Sequence, residues 1–205
     1  MFKKRVPLLR RLLMLTLSLM LCIGICMPAQ AAAAPRLNLG YKWYDTPWTF
    51  SLTVTFLPAS VKQVRSAMNA WNAIRDPDNG WMVSIFLTTG STSNSIEYME
   101  PLDFWVGYTD PTLSGDEILS VNIYLNTWLY EFSVGGSSSS YDIRTVVQHE
   151  LGHALGVAHC HEEGEDDPCW SPTCNDNVMY RLIELGEVRT TFQPYDTASY
   201  INIYW

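Results

Sequence analysis

Between residues 49 and 57 the chain alternates strictly. Phe50, Leu52, Val54 and Phe56 fall on one side, and Thr49, Ser51, Thr53 and Thr55 on the other. A period of two predicts a half-buried strand. The period then lengthens: Val61, Val64, Met68, Trp71 and Ile74 recur at spacings of three and four, one apolar stripe of a helix. Ser60-Val61-Lys62-Gln63 reads as a capping box at its start, and the turn formers of residues 76–80 stop it. Residues 81–88 read as a second strand, with shorter extended pieces at 96–98 and 104–108. Leu119, Val121, Ile123 and Leu125 alternate within a strand expected over residues 118–126. After the flexible connection Gly135-Gly136-Ser137-Ser138-Ser139-Ser140, Asp142 or Ser140 caps a helix running from Ile143 to about Val157. Residues 194–204 predict a last helix, with Pro194 early and Asp196 in its first turn. The expected fold class is α+β, in a single domain without internal repeats.

The first 33 residues fall outside this patterning. Lys3, Lys4, Arg5, Arg10 and Arg11 form a basic head, residues 12–27 are almost wholly apolar, and Ala29-Gln30-Ala31 offers a small-x-small cleavage site. This is the build of a secretory signal peptide, its apolar part short for a spanning helix, with a retained membrane anchor as the alternative. The expected division is therefore 1–33 as leader and 34–205 as one domain, secreted, with no stable membrane association once the leader is cut. The whole chain carries 13 basic and 21 acidic residues; beyond the leader 8 basic face 21 acidic, a net charge of −13. Such a surface argues against nucleic acid or anionic lipid as partner. Cys22 and Cys26 leave with the leader. Cys160, Cys169 and Cys174 remain, and in an exported chain one disulfide and one leftover thiol is the simplest arithmetic. The spacing does not decide which pair forms.

The chemistry is concentrated in eleven residues, His149-Glu150-Leu151-Gly152-His153-Ala154-Leu155-Gly156-Val157-Ala158-His159. They fit H-E-x-x-H-x-x-G-x-x-H, a match that chance would supply on the order of once in ten thousand chains of this length. On a helix His149 and His153 lie one turn apart and reach one metal ion. Glu150 adjoins the first ligand, placed to take a proton from an attacking water. Gly156 adopts positive φ cheaply, so the chain can leave the helix and return His159 as third ligand. Three protein ligands and an open position are the pattern of a catalytic zinc site; structural sites are normally closed by four.

With its strand-helix-strands-helix order and Met179 after it, this motif resembles the metzincin zinc endopeptidases. The matrixin-like group, matrix metalloproteinase catalytic domains and their microbial relatives, is the nearest in pattern. Asn177-Val178-Met179-Tyr180 and the stretches 123–126 and 141–148 add to the likeness. The resemblance implies a mostly twisted sheet with an N-terminal helix, an active-site helix, and a small C-terminal part holding a methionine turn and a final helix. It implies one catalytic Zn2+ on His149, His153 and His159, Glu150 as general base, and Met179 beneath the metal. It further implies a protein or peptide substrate added as a strand to a sheet edge, for which residues 104–108 are the candidate, and a monomer is expected.

The chain departs from that pattern in places. His159 and Met179 are 20 residues apart, and the insertion carries all three remaining cysteines, His161 and the acidic run 162–167. The run is expected to be a solvated loop stapled by a disulfide, with a Ca2+ site or a substrate-selecting rim as alternatives. Neither Cys160 nor His161 is expected on the metal, since a fourth protein ligand would close the open position. Three of the four histidines are used by one ion, so a second, histidine-rich zinc site is not expected. Arg181 stands where some related groups place a tyrosine, and no propeptide with a cysteine switch is expected. Two other readings remain at this stage: a zinc-binding, non-hydrolytic recognition module on the same fold, and Glu184 as third ligand in place of His159.

Overall fold

The period of two does become a strand, β1 (Trp48–Leu52), with Trp48 and Phe50 buried. In the computed structural model the described residues are 38–52, 56–80, 83–100, 103–160 and 174–205, all within one compact unit spanning Ala34–Trp205. Val54 of the expected strand, the start of the second strand at residues 81–82, and the leader lie outside them. None of the described helices is long and apolar enough to cross a membrane.

Helix α1 (Pro58–Asn72) follows β1 and starts two residues before the expected capping box. Pro58 is the reason. Its fixed φ suits the first helical position and its missing N–H would be unpaired there anyway, so Leu57 stands at the N-cap and no side-chain cap is made. The stripe faces inward as its spacing requires, with Val64, Met68, Trp71 and Ile74 buried. At its end Asn72 behaves like a strand neighbour: its amide donates to Ile85 O and accepts from Ile85 N, both at 2.8 Å. This ties α1 to β2 (Ile85–Leu87), shorter than expected.

Five strands form one mixed sheet in the order β2-β1-β3-β5-β4, with β3 (Asn94–Met99), β4 (Gly107–Ser114) and β5 (Glu117–Asn126). The first four are parallel; β4 alone runs antiparallel, at the edge, and among the described residues it pairs only with β5. Two expectations are corrected here. The extended piece placed at 104–108 begins only at Gly107 and runs on to Ser114, through Pro111, which an edge strand tolerates. Leu119 is 52% exposed, although it belongs to the alternating set. A register shift at Thr112/Leu113 pairs Thr112 with Ser120 and Leu113 with Ile118. Leu119 is thus the extra residue of a bulge, and Ile118 takes the inward place.

A short parallel pair, β6 (Glu131–Ser133) and β7 (Ser140–Asp142), brackets the expected connection, whose residues 135–139 run between the two strands, and leads into α2 (Ile143–Ala154). Asp142 is the cap, accepting from Thr145 N at 2.9 Å. Helices α1 and α2 pack on each other, α1 against β2 and α2 against β4 and β5. Trp71 lies fully buried between them and donates to Gln148 O. A single 3-10 turn (Cys174–Asp176) precedes α3 (Pro194–Tyr204), whose bounds agree with the expectation. The described architecture, a five-stranded mixed sheet with three helices, is compatible with the expected α+β class.

Candidate metal centre and cleft

Helix α2 stops at Ala154, three residues short of the expected end, and the stop builds the site. Val157 N donates to Gly152 O and Gly156 N to His153 O, both at 2.9 Å, which is a Schellman closure. Gly156 has φ of +83°, and a Cβ on it would lie 2.3 Å from Tyr41 O. Glycine is required there twice over, by the backbone conformation and by the N-terminal segment crossing above it. Trp43 Nε1 donates to Ala154 O and Tyr204 Oη to Leu155 O, so the last carbonyls of the helix are also paired.

Past this turn the chain carries His159 back to the helix. The Nε2 atoms of His149, His153 and His159 lie 3.0–3.2 Å from one another. These contacts are not hydrogen bonds, at least between His149 and His153. Each of those rings places Nδ1 2.8 Å from a carbonyl, Val178 O and Val157 O respectively. A carbonyl only accepts, so Nδ1 bears the proton and Nε2 presents a lone pair. Burial, and the neighbouring histidines after it, push His149 well below its ordinary 6.5 and His153 down to about 3. These two neutral rings and His159 form a group able to hold a metal ion, the only such group among the described residues. Glu184 is exposed and not part of it. Cys160 is buried in the core and also outside it. His161, Cys169 and the acidic run 162–167 lie outside the described residues.

Glu150 is buried beside these rings, and burial raises its carboxyl to about 7 despite a hydrogen bond from Thr109. Thr109 Oγ1 lies 2.7 Å from Glu150 Oε2 and 3.0 Å from Glu150 O. Two residues before Thr109, Gly107 leaves room for the same carboxylate: a Cβ there would stand 2.7 Å from Glu150 Oε1 and 2.9 Å from Val146 Cγ1. Neither residue belongs to the motif. The edge strand sets the position of Glu150 from outside the helix.

Met179 is fully buried, and its Sδ would lie 2.2 Å from a Cβ on Gly152, between the two helical histidines. The turn holding it is fixed from α3: Asp196 accepts from Val178 N, Met179 N and Gln193 N at 2.8–3.0 Å. Burial raises the Asp196 carboxyl, and the three backbone donors pull it back. Tyr195 Oη donates to His159 O at 3.0 Å. Sequence reasoning saw Asp196 only as a favourable first-turn charge and missed this second use. Beyond Met179, Arg189 donates to Tyr180 O and Leu182 O, fixing the segment 180–182.

The histidines and Glu150 open onto a cleft of about 570 Å³. One wall is the start of β4, residues 107–109, together with Phe104 and Trp105; Leu182 and Ile183 form part of another. Phe104 is 82% exposed. Its loop is nonetheless pinned: buried Asn126 donates to Asp103 O and Trp105 O, and Tyr130 Oη to Phe104 O. Compared with protein-family models and with curated protein sequences, the chain has no match in either.

Proposed function

We propose that the chain is a zinc-dependent endopeptidase of the metzincin, matrixin-like type, acting on protein or peptide substrates outside the cell. One observation carries this: three histidine Nε2 atoms converge beside a buried glutamate at the floor of an open cleft. The donor set suits zinc. Bonds of about 2.0–2.1 Å in a tetrahedral site hold ligand nitrogens roughly 3.3 Å apart, close to the 3.0–3.2 Å found. The paired Nδ1 groups supply the outer contacts that orient zinc-bound histidines. The turn at Gly156, the buried Met179 against the helix and the final helix add support from the parts the resemblance implies.

His149, His153 and His159 would hold the ion, which when bound supplies Lewis acidity, making water acidic and polarising a carbonyl. The chain does the rest. Glu150 accepts the proton of the attacking water and returns it to the leaving nitrogen. Thr109 and Gly107 keep its carboxylate in place during both transfers. A substrate strand lies along β4, whose outer edge has no partner strand among the described residues, with side chains against Phe104, Trp105 and the Leu182–Ile183 wall.

The test is cleavage of a diverse peptide library by the zinc-supplied chain beside its Glu150→Gln variant. Cuts by the parent alone, with equal zinc content in both, are expected. A folded, zinc-loaded parent that cuts nothing would favour the recognition module instead.

A further inference from the structure

Three cysteines follow the third histidine, and spacing leaves their pairing open. The structure brings two of them together. Cys160 and Cys174 are both buried in the hydrophobic core, and their Sγ atoms touch at 2.8 Å. Each Sγ also lies against the other residue's carbonyl, at 3.6 and 3.7 Å. Among the described residues, neither belongs to the group able to hold a metal ion.

Their neighbours give the contact its meaning. Cys160 directly follows His159, and its N–H donates to Met179 O at 2.9 Å. Cys174 O accepts from Asn177 N and Asn177 Nδ2, at 3.0 and 2.8 Å, at the entrance to the Met179 turn. The two sulfurs therefore stand where the arm carrying the third histidine meets the turn beneath the helix. The intervening part of the insertion, residues 161–173, carries the acidic run and Cys169.

We infer that Cys160 and Cys174 form a disulfide that clamps the His159 arm onto the methionine turn. The two S–H bonds break and one S–S bond forms. Two protons and two electrons pass to a disulfide oxidant, small-molecule or protein, which leaves as two thiols. The clamp closes the insertion at its base, so both ends keep one separation whatever the acidic run binds or contacts. It also leaves Cys169 as the odd cysteine. The consequence for His159 rests on the metal assignment proposed above; the cross-link itself does not.

The first test is a peptide map of the chain purified without reductant, capped with iodoacetamide under denaturing conditions and digested. One cross-linked pair joining Cys160 to Cys174 is expected, with Cys169 alkylated. A link from either residue to Cys169, Cys22 or Cys26, or alkylation of both, would overturn the assignment. In chelator, reductant should lower the Tm of the parent by roughly 5–10 °C and leave that of Cys160→Ser/Cys174→Ser unchanged; equal shifts in both would contradict the clamp. Competition with a chromophoric chelator should show zinc held at least fivefold more weakly by the reduced parent. Equal affinity would remove the coupling to His159. No zinc binding by either form would overturn that coupling together with the metal assignment, while the peptide map still decides the cross-link.

Discussion

Replacing Gly107 by alanine tests whether the edge strand positions the base. The new Cβ would stand 2.7 Å from Glu150 Oε1, 2.9 Å from Glu150 Cγ and 2.9 Å from Val146 Cγ1, where ordinary contact begins at 3.4 Å. Val146 is fully buried on α2 and cannot retreat. Glu150 ends in a flexible carboxylate, so it gives way by about 0.5–0.7 Å and loses the Thr109 hydrogen bond. Overpacking of this size costs about 1–2 kcal/mol, a fall of roughly 3–6 °C in Tm for a chain of this length. The effect on rate is larger. A misplacement approaching 1 Å can cost about 100-fold, and a general base contributes roughly 100-fold or more. The variant should therefore lose about 100-fold in kcat/KM on a quenched-fluorescence peptide while zinc content, by elemental analysis, stays at one per chain. Gly90→Ala is the control, because its nearest neighbour would be Thr88 Oγ1 at an ordinary 3.5 Å. A Gly107→Ala chain within threefold of the parent would refute the idea that β4 sets the position of Glu150.

Thr109→Ala should lower kcat by roughly 10-fold, as expected for one hydrogen bond to a charged group, with KM little changed and Thr109→Ser restoring most of the loss; equal rates in all three would rule the hydroxyl out. Asp196→Ala orphans three backbone donors at a fully buried site, costing about 3 kcal/mol or more. A drop of at least about 6 °C in Tm is expected, and one under 2 °C would contradict it. The metal-free chain should lose stability as pH falls from 6.5 to 4.5. The histidines His149 and His153 have lowered values in the fold, so the unfolded chain takes up their protons first and stability drops below 6.5. Glu150, raised from 4.5 to about 7, acts oppositely: its contribution is full below 4.5 and lost as pH rises through 7. Two groups oppose one, leaving a net slope of about 1.4 kcal/mol per pH unit. Thermal melts in chelator that stay flat or rise on acidification would refute the balance.

Much of this arrangement was readable where the chain repeats a period or fixes a spacing. The stripe from Val64 to Ile74, the helix 194–204, and the histidines with Gly156 between them needed no knowledge of distant contacts. What escaped the sequence depends on residues far apart. Leu119 keeps the alternating pattern yet faces solvent, because a bulge is decided by pairing with β4 and not by the residues of β5. The edge strand began at Gly107 because Asn126 pins residues 103–105 in another conformation. Thr109 and Glu150 are 41 positions apart, and Asp196 reaches 17 and 18 positions back to Met179 and Val178. Asn126, Thr109 and Asp196 are common polar residues with ordinary local roles, and only their partners reveal what they hold. Gly107 gave one signal, a glycine within the apolar extended piece 104–108, which often marks a close approach.

The grip of α3 on the site also bears on synthesis. The helix 143–154 and His159 leave the ribosome well before Asp196, Tyr195 and Tyr204. Until those residues emerge, the Met179 turn has no carboxylate to hold it, and His159 O and Leu155 O lack their tyrosine donors. A nascent chain therefore carries all three histidines for some time without the frame that orients them. The orientation of this histidine group therefore waits on a helix that begins 35 residues after His159.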